Sequence, residues 1–432
     1  MLLPLAALGG CSLFDNLFGN TKTPLPGLRE GVMLTHRGLQ VASGTPPRVT
    51  LPPAVAVDSW PQAGGGPTHS VGRIVGPARL TRAWSVAIGE GGGYRRKITS
   101  APVVAQGSVF TMDSDGVVSA FDVRTGAQRW TFQTQDKKDR STNVGGGIGF
   151  DGGVLYASTG RAELLALEAG GGKLKWRQPL GVPARSAPTI ADGRVFVTTI
   201  SQQLAAFATA DGNRIWSFQG SLAETTVLAA PAPAYAEGLV VAGFGSGDVA
   251  ALRAATGGVA WTDSIAAASG RTSLADLSSI PGMLVINGQR VFAIGLGGLL
   301  VGIDLRAGRR LWEHEVASSQ TPWVAGEWIF LLSVDQQVAA VSVIDGTVSW
   351  VSELPRYENE EKQRDPMQWR GPVLLGEHLV LVGTNAKGRM VSPYTGETQA
   401  VFDLPAAASL PPVVAGGVMY VITDDGSLTA FH

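Results

Sequence analysis

Residues able to do chemistry are few in this chain, and their spacing serves support better than catalysis. The one cysteine, Cys11, excludes an intramolecular disulfide and a thiolate metal cluster. The five histidines, His36, His69, His314, His378 and His432, form no spaced ligand pair. Asp113, Asp115, Asp335, Asp424 and Asp425 stand in turn-like stretches, where accepting backbone N–H groups is sufficient work for a carboxylate. No GxSxG elbow, Walker loop, HExxH pair or CxxC pair occurs. The expectation is a non-enzyme with no catalytic residue, cofactor or metal.

The chemistry that remains is that of Cys11 itself. It follows a short apolar run that ends Leu8, Gly9, Gly10, and this approach of small residues resembles the lipobox that is cleaved and lipidated in bacterial lipoproteins. Residues 1–10 are then a signal peptide, and Ser12 after the cysteine goes with sorting to the outer membrane. Residues 11–57 carry Pro24, Pro26, Pro46, Pro47, Pro52 and Pro53 with little periodicity, which reads as a flexible tether. No other apolar stretch is long enough to span a bilayer, so the anchor would be lipid alone, on the periplasmic face.

Positioning elements come from the rest of the chain. Lys and Arg number 34 and Asp and Glu 35, so no long-range field favours nucleic acid or an anionic surface. With 57 glycines and 16% charged residues, the composition fits many short strands joined by tight turns. A repeat bears this out. Its clearest copy is APVVAQGSVFTMDSDGVVSAFDVRTGAQRW at 101–130, with further copies beginning at Ala187, Ile280 and Pro411 and weaker ones after Gly147, Ala230, Thr321 and Gly371. Closing tryptophans at 84, 130, 176, 216, 261, 312 and 350 recur 38–51 residues apart, the period of a four-stranded propeller blade.

In the first copy Val103 and Val104 end an inner strand, Gln106 and Gly107 turn the chain into 108–112, and Ser114 to Gly116 turn it into 117–122. Thr125 and Gly126 then turn it into a strand carrying Trp130. Apolar residues on both faces of such strands need a neighbour on each side. The fold is therefore expected to be all-β, an eight-bladed β-propeller over 58–432. Its eighth copy stops at His432 without a fourth strand, and residues 80–88, LTRAWSVAI, have the missing pattern; they are expected to close the ring. The tryptophans then serve packing between blades. The triple glycines at 64–66, 91–93 and 145–147 are expected in blade connections, turning tightly near the axis.

The copies resemble the repeats of the pyrroloquinoline-quinone propeller superfamily, in which an Asp, two variable residues, Thr, Gly and a later Trp close each unit. That signature is full in 122–130 and partial in 256–261 and 304–312. It is specific for the fold and not for function. One branch, the quinoprotein dehydrogenases, holds a quinone over calcium on the axis and usually sets a disulfide of adjacent cysteines against it; a chain with one cysteine departs from that pattern. The combination of lipobox, short tether and a ring ending in the last residues is similar to the BamB family, lipoproteins of the β-barrel assembly machinery. The stretch WPQAGGGPTHS at 60–70 also resembles the start of such proteins from one bacterial group. The resemblance implies a scaffold that docks on a POTRA domain of the insertase BamA, among other assembly subunits, and aids insertion of outer-membrane proteins. Unfolded outer-membrane proteins adding a strand to a blade edge would be a further class of partner.

The family's docking loops join neighbouring central blades and correspond here to 221–229 and 266–280. In the second, Leu274 and Asp276 match a leucine and one of two acidic residues of the family motif, with Ser278 at the other acidic position. The first loop begins with Ser221 and Leu222 and lacks in register the leucine pair and arginine of some members. Read physically, Leu274 and Leu277 between Arg271 and Asp276 either form a small anchor with a polar rim or tuck under the blade edge. The charged insertion YENEEKQR at 357–364 is either a solvated loop or a short helix that touches a partner. The alternatives are a periplasmic quinoprotein-like enzyme or ligand-binding propeller, and a structural lipoprotein of another envelope complex.

Overall fold

A computed structural model describes residues 39–432 apart from 78, 94–95, 136–142, 223–230 and 267–277. Eight four-stranded antiparallel sheets span 103–133, 146–179, 189–219, 234–264, 285–315, 323–353 and 369–403, with the last made of 413–431 and Arg82–Ala87. We number them blades 1 to 8. Strands fall where alternation and turn residues place them: blade 1 is Val103–Ala105, Ser108–Met112, Val117–Asp122 and Gln128–Gln133. Gln106 and Gly107 hold φ of +50° and +70° in its first turn, the doubly left-handed geometry that a two-residue hairpin demands.

The second strand of blade 1 shows why no blade is stable alone. Val109 packs into the core shared with Tyr420, Leu428 and Phe431 of blade 8. Its neighbours Phe110 and Met112 face the opposite way, into a core with Ile148, Leu155 and Leu167 of blade 2. Fully burying such side chains stabilises by about 1.5–3 kcal/mol each, and only a neighbour on either side provides that burial. The outermost strand of blade 1, Gln128–Gln133, instead carries only exposed and half-buried residues.

Blade 8 closes the ring from both chain ends. Arg82–Ala87 pairs antiparallel with Ser427–Phe431, and Thr81 and His432 exchange backbone hydrogen bonds of 2.7 and 2.9 Å at the join. Each of the seven repeated tryptophans sits on an outermost strand and donates its indole N–H to a carbonyl in the third-to-fourth turn of the following blade. Trp84 reaches Val123, Trp130 reaches Ala169, Trp261 reaches Leu305 and Trp350 reaches Pro393, at 2.7–3.2 Å. The turn glycine lies flat on the indole: a Cβ added at Gly308 would stand 2.4 Å from Trp261 Cγ. The Asp that opens each full signature shapes the same turn, since Asp122 accepts from the amides of Arg124 and Thr125 at 3.0 and 3.1 Å. Arg129 and those amides hold its carboxyl down at about 2.

Seven tryptophans for eight blades has a physical cause. In blade 8 the third and fourth strands come from opposite chain ends, so there is no turn between them to receive an indole. Blade 7 accordingly carries Ala400, paired with Met390, where blade 6 carries Trp350, paired with Ala340. At the seam between blades 7 and 8, Phe402 meets Phe431 edge-on beside a buried core that joins Val380 and Val382 to Val414 and Ile422.

Residues 39–57, expected as part of the tether, lie against the blades. Leu39 and Val49 are buried, Ala42 N–H donates to Val348 at 3.1 Å, and Ser349 Oγ donates to Pro47 at 2.6 Å. Proline-rich sequence without alternation gave no sign of this, because the partners are supplied by blade 6. The insertion at 357–364 is not helical: Tyr357–Asn359 and Arg364–Pro366 pair as a short β-hairpin, its turn held by Glu360 accepting from the amides of Arg356 and Tyr357.

Candidate functional site

Antiparallel strands place two kinds of turn at opposite ends of every blade. First-to-second and third-to-fourth turns form one face of the ring, while second-to-third turns and the connectors between blades form the other. The connectors chosen from sequence are on this second face. Connector 221–230 leaves blade 3 at Gly220, whose N–H donates to Gln202 at 2.9 Å. Connector 266–280 leaves blade 4 at Ile265, bonded to Gly247 at 2.8 Å, and returns at Ile280, bonded to Phe244 at 3.3 Å.

One turn of blade 4, 244–247, therefore holds the bases of both connectors. Buried Phe244 lies against Gly220, where a Cβ would come within 2.7 Å of its ring. Gly247 is wedged between the two ends of the second connector, its would-be Cβ 2.8 Å from Ser278 O and 3.0 Å from Ala266 N. Gly245 N–H donates to Gln202 Oε1 at 2.6 Å, tying this turn to blade 3. Leu222 stands at the start of the first connector with 79% of its surface exposed. Cys11, Arg271, Leu274, Asp276 and Leu277 lie outside the described residues. Phe244 and Gln202 were not singled out from sequence, although the second-to-third turn of the fourth copy was a place to look.

The other place for chemistry in such a ring is its axis. Here residues 57–76 run once around the inside, touching the innermost strand of every blade in order. Val57 O accepts from Gly416 of blade 8 at 2.7 Å, Trp60 exchanges two bonds with Val104 of blade 1, and Pro61 O accepts from Phe150 of blade 2. Gln62 makes two bonds of 2.9 Å with the backbone of Ile190 in blade 3. Pro67 and Thr68 accept from Tyr235 and Ile286 of blades 4 and 5, Gly72 O accepts from the Trp323 indole of blade 6, and Ile74 bonds Leu374 and Gly376 of blade 7. The indole of Trp60, anchored on blade 1, stacks on Trp323 of blade 6 with centroids 6.3 Å apart, so it crosses the axis. Gly64 and Gly65, read from sequence as a blade connection, belong to this inner turn, with φ of +68° and +86°. Gly91–Gly93 do lie in a connector, while Gly146 and Gly147 begin the innermost strand of blade 2.

A quinone over calcium would need a flat axial cavity and an oxygen-rich cradle. Trp60, Gln62, His69 and Ile74, all buried, fill the axis instead, and among the described residues no group of three or more His, Cys, Asp or Glu is arranged to hold a metal ion. The carboxylates at turns are engaged with backbone: Asp113 accepts from the amides of Glu90, Asp115 and Val117 at 2.8–3.0 Å, and burial pushes its carboxyl up. The residues present do not fit that group.

His69 is the one titratable group sealed into the axis. Its Nδ1 lies 2.7 Å from the carbonyl of Leu284; a carbonyl only accepts, so Nδ1 carries the hydrogen and Nε2 is bare. Nε2 is buried without a partner among the described residues, and burial holds the imidazole down at about 4. The unfolded chain takes up this proton near 6.5 and the folded one only near 4, so stability is full above about pH 6.5 and falls as pH drops towards 4. The loss expected is on the order of 3 kcal/mol. Urea midpoints at pH 7 and 4.5 check this: His69→Asn, which keeps a donor to Leu284, should show a smaller drop than the parent. An equal drop in both would remove His69 as the cause.

A family model described as outer membrane protein assembly factor BamB matches residues 83–143 and 114–352. The chain belongs to the BamB family. Among its relatives, BamB of Yersinia pestis is 27% identical over 354 residues, covering 79% of this chain and 88% of that one. The crystal structure of BamB from Moraxella catarrhalis superposes with a TM-score of 0.70 at 19% identity, over 82% of this chain and all of that one. Quinohemoprotein alcohol dehydrogenase from Comamonas testosteroni, at 14% identity and a TM-score of 0.66 over 88% of this chain and 81% of that one, shares the propeller. The named BamB relatives are outer membrane protein assembly factors. Membership thus sets this chain among outer-membrane assembly factors, and no described helix is long and apolar enough to cross a membrane.

Proposed function

We propose that this chain is a lipid-anchored scaffold of the outer-membrane assembly machinery that docks, through connectors 221–230 and 266–280, on a periplasmic POTRA domain of BamA. Lipidation at Cys11 would hold it at the periplasmic face of the outer membrane. The observation that carries the reading is the shared base of the two connectors. Phe244 meets Gly220 and Ile280, and Gly247 meets Ala266 and Ser278, so the described ends of the two connectors share one base, and a shared base lowers the ordering cost of binding. Exposed Leu222 is an apolar side chain of the kind that fills a partner pocket, and Arg271, Leu274, Asp276 and Leu277 belong to the neighbouring loop.

The test is a photo-crosslinking residue at position 222 in cells, with one at exposed Ile344 on the opposite face as the control. Position 222 is expected to capture BamA and position 344 to capture none. A paired change of Leu274→Ala and Asp276→Ala should cut co-purified BamA at least tenfold, the effect of losing about 1.4 kcal/mol or more. Equal capture by both positions, or undiminished co-purification, would remove this face as the dock.

A further inference from the structure

We infer that the axial channel is a peptide-binding site whose resident ligand is the chain's own segment 55–76, and that this bound segment clasps the ring at the seam between blades 7 and 8. The innermost strand of each blade is an edge, with unpaired N–H and C=O groups turned to the channel. Such groups need partners when buried. Segment 55–76 bonds backbone groups of seven blades in turn and the Trp323 indole of blade 6, with Trp60 and Gln62 as two-bond anchors on blades 1 and 3.

The ends of the segment meet each other at the interface between blades 7 and 8. Val55 N–H donates to Arg73 O at 2.8 Å and Val75 N–H to Val55 O at 2.9 Å, so the inner circle is itself closed. Ile74 continues this ladder onto Leu375 of blade 7, and Val57 O holds Gly416 of blade 8. Those two blades share the one interface that has no indole reaching across it. Arg73 adds a bond to the carbonyl of Gly376 at 3.0 Å and an ion pair with Glu377, both at the first turn of blade 7. Backbone bonds dominate on the segment's side, so the class of ligand is an extended polypeptide carrying an aromatic side chain for the axis, and not a small molecule.

The experiment places a protease site in the link between residues 76 and 82 of the full-length protein, which is cut after folding. The amino-terminal fragment should co-elute with the ring on a sizing column in native buffer. Its release with the ring left folded would overturn the proposal. Residues 39–53 also touch blade 6, so the same cut is made in a Trp60→Ala, Gln62→Ala chain; the fragment is then expected to leave, and its retention would move the binding away from the axis and overturn the proposal too. Should that variant not fold, amide exchange on the unaltered protein decides. The amides of Phe150, Tyr235, Ile286, Gly376 and Gly416, on five blades, should exchange at one common rate, as groups released by one opening event do. Five unrelated rates, each following its own blade, would refute the clasp.

Discussion

Deleting Gly426 to His432 is expected to leave a protein with no cooperative thermal transition. The strand lost, Ser427–Phe431, lies between Val418–Thr423 and Arg82–Ala87, so its removal strips two strands of a partner at once. Leu428, Ala430 and Phe431 are buried, and the first and last alone stand for about 3–6 kcal/mol of burial. Domains of this kind are stable by about 5–15 kcal/mol in total. Opening the ring also bares a face of blade 7 and frees the strand that presents Trp84 to blade 1. Calorimetry and sizing chromatography on the truncated chain check this, and a single sharp melt close to that of the parent would sink ring closure by the two chain ends.

Trp261→Ala is expected to lower stability by about 3–5 kcal/mol, with denaturant midpoints as the measurement. The indole is buried, donates to Leu305 at 2.7 Å and covers Gly308, so the change removes contact area and leaves a carbonyl unpaired between blades 4 and 5. The converse substitution, Ala400→Trp, should bring no gain. Blade 8 has no third-to-fourth turn to meet an indole, and position 400 is exposed. A rise in midpoint for Ala400→Trp, or a loss under 1 kcal/mol for Trp261→Ala, would show that the turn carbonyl and its glycine are not what the tryptophans hold.

The blades were readable from the amino acids because each strand announces itself locally. Val103 to Met112 alternates between two neighbours, Gln106 and Gly107 admit the left-handed turn, and Asp122 caps the next one. Even the closing strand at 82–87 could be placed, since it repeats the pattern around Trp130. The inner circle at 55–76 was not readable. Its partners are spread from residue 104 to residue 416, and a segment that bonds one residue per blade has no period of its own. The one sign was Trp60, a large aromatic beside Gln62 in a stretch rich in Gly. The hairpin at 357–366 escaped for a different reason: its charges show no alternation, and Glu360 sets its turn through two amides. The stretches 221–229 and 266–280 do fall between strands of successive blades, yet Phe244 and Gly247, which touch their described ends, belong to a turn that looks ordinary in sequence.

The route of the chain bears on how it comes to be made. Residues 55–76 and 82–87 are translated before the blades they bind, and Ser427–Phe431, which the first outer strand requires, is translated after every other strand of the ring. Pairings across such sequence distances are slow to form. Every partly made copy therefore carries bare strand edges that invite association with other chains, and only emergence of Ser427–Phe431 lets the circle be sealed.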